Sequence, residues 1–234
     1  MKKALLRQFD RVARRVGRLS PTLNKARGDS FNVLEIAYLR AAYDSAVLYE
    51  EQFLTTSPFA TDLDLISAAA SRANLGGLFL EFGVASGRTI RHLAGLVPKV
   101  QLYGFDSFQG LPEDWRTDFG KGAFSGSLPP VPANVSLVQG WFNESLPEFL
   151  KTHKGNVSYL CVDCDLYSST KCVFDLLSER IVSGTIIVFD EYWNYPGWRD
   201  HEFKAFEELK SSKGISCTPI GFVPSHQQVA FVVD

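Results

Sequence analysis

From residue 78 onward the chain alternates short apolar runs with stretches of helical periodicity, and nothing else in it constrains the fold as strongly. Parallel strands need a crossover between them, and a helix is the usual crossover, so the pattern predicts an α/β fold with helices on both faces of a sheet. The strand-like runs are 78–82, 101–105, 135–138, 157–162 and 185–189, with helices expected at 87–96, 144–151, 169–181 and 198–211. Two further runs, 216–222 and 228–233, are joined by a loop containing Pro224 and complete a Rossmann-like, seven-stranded, mostly parallel sheet. The residues before it read as a helical extension over 1–60, leaving 61–234 as the α/β domain. In the extension, Leu5, Phe9, Val12, Val16 and Leu19 recur at helical spacing before Pro21 and Gly28. A second helix over 31–54 carries Leu34, Ala37, Tyr38, Ala41, Ala42, Ala46 and Leu48 as its expected apolar stripe, and a third spans 62–73.

The net charge of −2 hides an asymmetry. Residues 1–28 hold nine Lys/Arg against Asp10 alone, and the remainder holds fifteen basic against twenty-five acidic residues. A nucleic-acid enzyme normally shows a basic body, so the expected ligand is small rather than a polymeric anion. No apolar run reaches the roughly 18 residues of a membrane span. The first twenty residues lack a signal peptide's apolar region, and Cys161, Cys164, Cys172 and Cys217 follow no disulfide spacing. A cytoplasmic protein with reduced thiols is the expectation. The basic amphipathic segment suits docking on a second subunit, giving a homo-oligomer, or covering the ligand pocket; its short apolar stripe fits a membrane surface less well.

The run Leu80-Glu81-Phe82-Gly83-Val84-Ala85-Ser86-Gly87-Arg88-Thr89 is a strand ending in an acid, then a small-residue turn into a helix. Ligands of open α/β sheets lie beyond the carboxyl ends of the strands. Gly83 and Gly87 permit close backbone approach, and the helix start offers free N–H groups to a carboxylate. The spacing is Gly-x-x-x-Gly rather than the Gly-x-Gly-x-x-Gly of dinucleotide binders. Glu81 would oppose a pyrophosphate but suits the ammonium or sulfonium side of S-adenosylmethionine. The next strand ends at Asp106, placed either to accept bonds from both ribose hydroxyls or to cap a turn. Gly140-Trp141-Phe142 offers an apolar wall for adenine, or core.

The fourth strand runs out through Asp163-Cys164-Asp165 and the fifth through Asp190-Glu191. If the two strands are neighbours, four carboxylates meet at one rim, where mutual repulsion would raise their pKa values unless a cation intervenes. An all-oxygen set favours Mg²⁺, Mn²⁺ or Ca²⁺ over zinc. Cys161 and Cys164 alternate across a strand and have no second pair, which argues against a zinc or redox site.

Together with Phe105-Asp106-Ser107-Phe108-x-Gly110-Leu111-Pro112, Ser145-Leu146-Pro147, Asp163-x-Asp165-x-Tyr167-x-Ser169-Thr170 and Asp190-Glu191-Tyr192, these runs resemble the macrocin O-methyltransferase family over about residues 77–210. The resemblance implies Mg²⁺-dependent transfer of a methyl group from adenosylmethionine to a hydroxyl of a small molecule, such as a sugar or a glycosylated natural product. It implies cofactor contacts along Glu81, Gly83, Ser86, Gly87, Arg88 and Thr89, at Asp106, Ser107 and Phe108, at Gly140, Trp141 and Phe142, and at Asp163. It also implies Asp163, Asp190 and Glu191 as metal ligands, where the family pattern has Asp-Asp at the last two, and Asp165 as the general base. The aromatic stretch Tyr192, Trp193, Tyr195 and Trp198 is expected either to line the acceptor pocket or to pack over the sheet edge, and 107–132 to form a lid. Two rival readings are a nicotinamide oxidoreductase, whose glycine pattern is absent, and a non-catalytic adenosylmethionine-binding protein.

Overall fold

The structure is a computed structural model that describes residues 31–234; the basic segment with Leu5, Phe9, Val12, Val16 and Leu19 lies outside them. Helix α1 (Val33–Gln52) starts at Asn32, whose side chain accepts from the Leu34 N–H at 3.1 Å. Helix α2 (Asp62–Ala70) starts at Thr61, whose hydroxyl accepts from the Asp64 N–H at 3.1 Å and donates to the Asp64 carboxylate at 2.7 Å. That reciprocal pair satisfies a backbone donor the helix itself leaves free. There follow β1 (Leu78–Phe82), α3 (Arg88–Leu96), β2 (Leu102–Asp106), β3 (Val135–Gln139), α4 (Phe142–Thr152), β4 (Val157–Val162), α5 (Tyr167–Leu177), β5 (Ile186–Phe189), α6 (Glu202–Lys213), β6 (Cys217–Phe222) and β7 (Val229–Val233).

The seven strands form one sheet in the order β3-β2-β1-β4-β5-β7-β6. The first five pair in parallel, and β7 pairs antiparallel with both β5 and β6. The chain moves outward one way through β2 and β3, then returns to β4 beside β1 and moves the other way. The reversal between β1 and β4 is the switch point at which open α/β sheets bind ligands.

Side-chain alternation divides the core. Leu80, Phe82, Phe105, Leu160, Val162 and Phe189 face Leu146, Phe149, Val173, Phe174 and Phe206 of α4, α5 and α6. Phe79, Tyr159, Cys161, Ile186 and Val188 face Leu65, Ile66, Ile90 and Leu93 of α2 and α3. Cys161 and Cys164 therefore fall in different layers, both as free thiols.

Two departures from the sequence reading have local causes. In α1 only Ala41, Ser45 and Leu48 are buried, while Leu34, Tyr38, Ala42 and Ala46 of the expected stripe face outward. The helix meets the sheet only through its second half, where the Ser45 hydroxyl accepts from the Asn194 N–H at 2.9 Å and Tyr49 packs on Phe222. The helix expected over 198–211 is split: a 3₁₀ turn at Trp198–Asp200 follows Gly197, and α6 begins only at Glu202. Residues 107–132 contain no helix or strand beyond a single bridge between Arg116 and Phe119. Among the described residues no helix is long and apolar enough to cross a membrane.

Candidate active site

The turn after β1 is shaped by two requirements. Gly83 sits at φ +91°, and a Cβ there would lie 1.8 Å from the Asp163 carbonyl oxygen, so the backbone runs directly against the loop that follows β4. Asp106, at the end of β2, accepts the Val84 and Ala85 N–H groups on Oδ2 at 2.9 and 2.7 Å, and the Phe108 N–H on Oδ1 at 2.7 Å. Its carboxylate thus organises the turn. It also remains on the wall of a cavity of about 620 Å³, within the roughly 300–1,000 Å³ usual for small-molecule sites.

That cavity opens at the carboxyl ends of β1, β2, β4 and β5. Gly83, Ala85, Asp106, Ser107, Trp141 and Phe142 line one part, and Asp163, Asp165, Asp190 and Glu191 another. Gly110, Leu111, Pro112 and Phe124 of the 107–132 segment complete the wall, in the place expected of a lid. The other expected cofactor residues, Glu81, Ser86, Gly87, Arg88, Thr89, Phe108 and Gly140, do not line it. Arg88 is paired with Asp62 of α2, and Gly87 and Gly140, both at positive φ, shape the chain around α3 and before Trp141.

Glu81 lies beneath the turn, on the α2/α3 side of the sheet, where its Oε1 accepts from the Thr89 hydroxyl at 2.8 Å. Burial pushes its carboxyl up to about 8, against the downward pull of the Thr89 bond. Between the ordinary value of 4.5 and about 8 the folded chain holds a proton that the unfolded chain has released. Its contribution to stability is therefore complete below the lower value and fades as pH rises through the higher one. Glu81→Gln should flatten the decline in melting temperature over that window, measured without cofactor; parallel curves for variant and wild type would remove Glu81 as the cause.

The second wall is acidic. Asp163, Asp165 and Glu191 offer oxygens that all lie within 4.8 Å of one another. Strand β4 ends at Val162, so pleat alternation does not bring Asp163 and Asp165 together. They meet because Asp165 takes φ +61° and the Leu166 N–H bonds the Cys164 carbonyl at 2.6 Å, a γ-turn centred on Asp165. That conformation is rare and strained for a residue with a side chain. Asp190 stands beside the trio with its Oδ1 accepting from the Gln228 amide at 3.0 Å.

Burial, then the charge of Asp190, raises the carboxyls of Asp163 and Glu191 well above their ordinary values. The same two causes bring Asp165 up to about 7, opposed by the Arg116 guanidinium. One oxygen of Glu191, Oε2, is buried without any hydrogen-bond partner. A partnerless oxygen among repelling carboxylates fits an oxygen-ligated divalent cation of the Mg²⁺, Mn²⁺ or Ca²⁺ kind.

Two participants escaped the sequence reading. Glu202, at the start of α6 and fully buried, accepts from the Cys164 and Asp165 N–H groups on Oε1 at 2.9 and 3.2 Å, and from the Glu191 N–H on Oε2 at 3.2 Å. Arg116, in the lid segment, lies 3.9 Å over the Trp115 ring and 4.8 Å over that of Tyr195. Of the two readings of the aromatic stretch, the structure shows packing. Tyr192, Trp193, Tyr195 and Trp198 are all at most 4% exposed, belong to the core and do not line the cavity. Their packing against Phe53, Phe203, Phe206 and Phe231 explains the aromatic density of that stretch.

Comparison with known proteins places this site in context. The family described as "Methyltransferase domain" matches residues 80–192, from the Glu81 turn through the Asp190-Glu191 pair. A curated relative from Streptomyces olivaceus, 8-demethyl-8-(2,3-dimethoxy-alpha-L-rhamnosyl)-tetracenomycin-C 4'-O-methyltransferase, is 28% identical over 107 residues; the match covers 37% of this chain and 40% of that protein. Among solved structures, the calicheamicin methyltransferase CalS11 superposes with a TM-score of 0.59 at 23% identity, covering 73% of this chain and 77% of its own. The O-methyltransferase NovP superposes at 0.58 and 20% identity, covering 73% and 78%. At these identities the likeness is one of fold.

Proposed function

We propose that this chain is an S-adenosylmethionine-dependent O-methyltransferase that uses a divalent cation, Mg²⁺ foremost, to methylate a hydroxyl of a small acceptor. The observation that carries the reading is the unpartnered Glu191 oxygen among Asp163 and Asp165, on the wall of the cavity that Gly83 and Asp106 also line. Bound adenosylmethionine supplies an electrophilic methyl group. The Gly83 turn and Asp106 hold its polar part, the carboxylate using its remaining acceptor capacity for the ribose, and Trp141 and Phe142 face the adenine. Asp163 and Glu191 hold the cation, with Asp190 beside them. When bound, the cation lowers the pKa of the acceptor hydroxyl.

Asp165, a carboxylate on the cavity wall beside Asp163 and Glu191, takes the proton from that hydroxyl. Leu111, Pro112 and Phe124 of the lid exclude water from the transfer. A sugar hydroxyl is the favoured acceptor, because the Streptomyces olivaceus relative is a 4'-O-methyltransferase of a rhamnosyl-bearing tetracenomycin and none of the described residues lining the cavity is a basic one that would select a polyanion. The four cysteines, free among the described residues, suit a reducing cytoplasm. Val33, Leu34 and Tyr38, exposed along α1, support self-association through this helix.

Calorimetry with adenosylmethionine and, separately, NAD tests the reading: binding of the first and not the second is expected, and the reverse overturns it. Asp106→Ala should weaken adenosylmethionine about ten- to a hundredfold, the range of about 1.5–3 kcal/mol for hydrogen bonds to a charged group. Unchanged affinity would leave Asp106 a turn residue only.

A further inference from the structure

Glu202 has no role in the reaction as described, yet it is fully buried and both of its oxygens are engaged. All three of its bonds go to main-chain N–H groups, and these belong to the two loops that carry the acidic cluster: Cys164 and Asp165 after β4, and Glu191 after β5. No backbone bond of a ladder reaches these donors, because β4 and β5 stop at Val162 and Phe189. We infer that Glu202 is a positioning residue for the cation site: its carboxylate fixes the spacing between the Asp163–Asp165 loop and the Asp190–Glu191 loop and holds the γ-turn at Asp165. The inference rests on the proposed cation role of that cluster.

Three features favour positioning over ligation. Glu202 spends its oxygens on the backbone, whereas Asp163, Asp165 and Glu191 direct theirs toward one another. It also comes from α6, a rigid element anchored in the core by Ala205, Phe206 and Leu209, so the clamp is tied to the body of the protein rather than to either loop. Finally, the strained φ at Asp165 persists only if its surroundings hold it, and the bond to its own N–H does so.

The test uses Glu202→Gln, which exchanges one acceptor oxygen for an amide that only donates, so at least one of the three N–H groups loses its partner. Mg²⁺ alone and adenosylmethionine alone are titrated into wild type and variant, and amide hydrogen exchange is followed at Cys164, Asp165 and Glu191. Loss of support to metal-binding residues typically costs about 10–100-fold in metal affinity, which is the expected fall for Mg²⁺, with faster exchange at the three amides and an adenosylmethionine Kd within about twofold of wild type. Excess Mg²⁺ should restore most of the lost turnover. Wild-type Mg²⁺ affinity and wild-type exchange in the variant would overturn the inference, as would an equal loss of Mg²⁺ and adenosylmethionine affinity, which would mean general loosening. If wild type itself takes up no Mg²⁺, the cation role fails, and the amide exchange still decides whether the clamp exists. Should Glu202→Gln not fold, exchange in wild type decides: slow amides at the three positions support the clamp, and unprotected ones overturn it.

Discussion

Asp165→Asn should lower turnover by about 10²–10⁴-fold, the usual contribution of general-base catalysis, while adenosylmethionine and Mg²⁺ still bind. The substitution keeps the size of the side chain, and Asn tolerates the left-handed backbone that Asp165 adopts at φ +61° as well as Asp does. It removes only the proton acceptor and one negative charge from a crowded site. With that charge gone, Asp163 and Glu191 lose a repelling neighbour, so the variant should not be less stable than wild type. Single-turnover methyl transfer across a Mg²⁺ titration reads the effect. A loss that persists at saturating Mg²⁺ supports the assignment, whereas recovery in excess Mg²⁺ would make Asp165 a ligand and reassign the base. Asp163→Asn should show the opposite behaviour, with weakened Mg²⁺ affinity and partial recovery of activity as Mg²⁺ is raised.

The largest loss of stability is expected from Gly83→Ala. The added methyl would lie 1.8 Å from the Asp163 carbonyl oxygen, with backbone and not a flexible side chain in the way, at a φ of +91° that L residues rarely adopt. Strain at such a dihedral costs about 1–3 kcal/mol, and forcing a methyl into packed structure about 1–3 more. For a chain of this size each kcal/mol shifts the melting temperature by roughly 2–4 °C, so a fall of about 5–20 °C is expected. Relief of the clash displaces Asp163, so adenosylmethionine and Mg²⁺ affinity should fall together. Scanning calorimetry of the variant checks the first effect, and a melting temperature equal to wild type would show that this turn does not approach the loop after β4 as described.

The sheet was legible because its signal is local. The central parallel strands are short runs such as Leu78–Phe82 or Val157–Val162, buried on both faces and bounded by turn residues, and the order of acids at the strand ends marked one rim. What failed to be legible depends on which surfaces meet. The apolar positions of α1 are spread around the helix, so sequence spacing could not say that only the face with Ala41, Ser45 and Leu48 would be covered. For Trp193, Tyr195 and Trp198 the sequence leaves a ligand platform and packing both open; the end of α1 decides it by bringing Phe53 against Trp193, so that the stretch closes over its own core.

The acids show the same limit. Asp163, Asp165, Asp190 and Glu191 were found because their positions follow from strand ends. Glu202 was not, since inside the helix expected over 198–211 nothing in the sequence sets it apart from the other charged side chains. Only the tertiary approach of α6 to two loops turns it into a buried acceptor of three N–H groups. Arg88 is the converse: it follows the glycine turn and suggested a cofactor contact, but Asp62 of α2 claims it.

The most direct test is transfer of an isotopically labelled methyl group from adenosylmethionine to a rhamnoside bearing free hydroxyls, run with added Mg²⁺ and in parallel with a chelator. A labelled methyl ether is expected, its formation stopping in chelator and returning when Mg²⁺ is restored. Undiminished transfer in chelator would contradict the cation's role at Asp163 and Glu191.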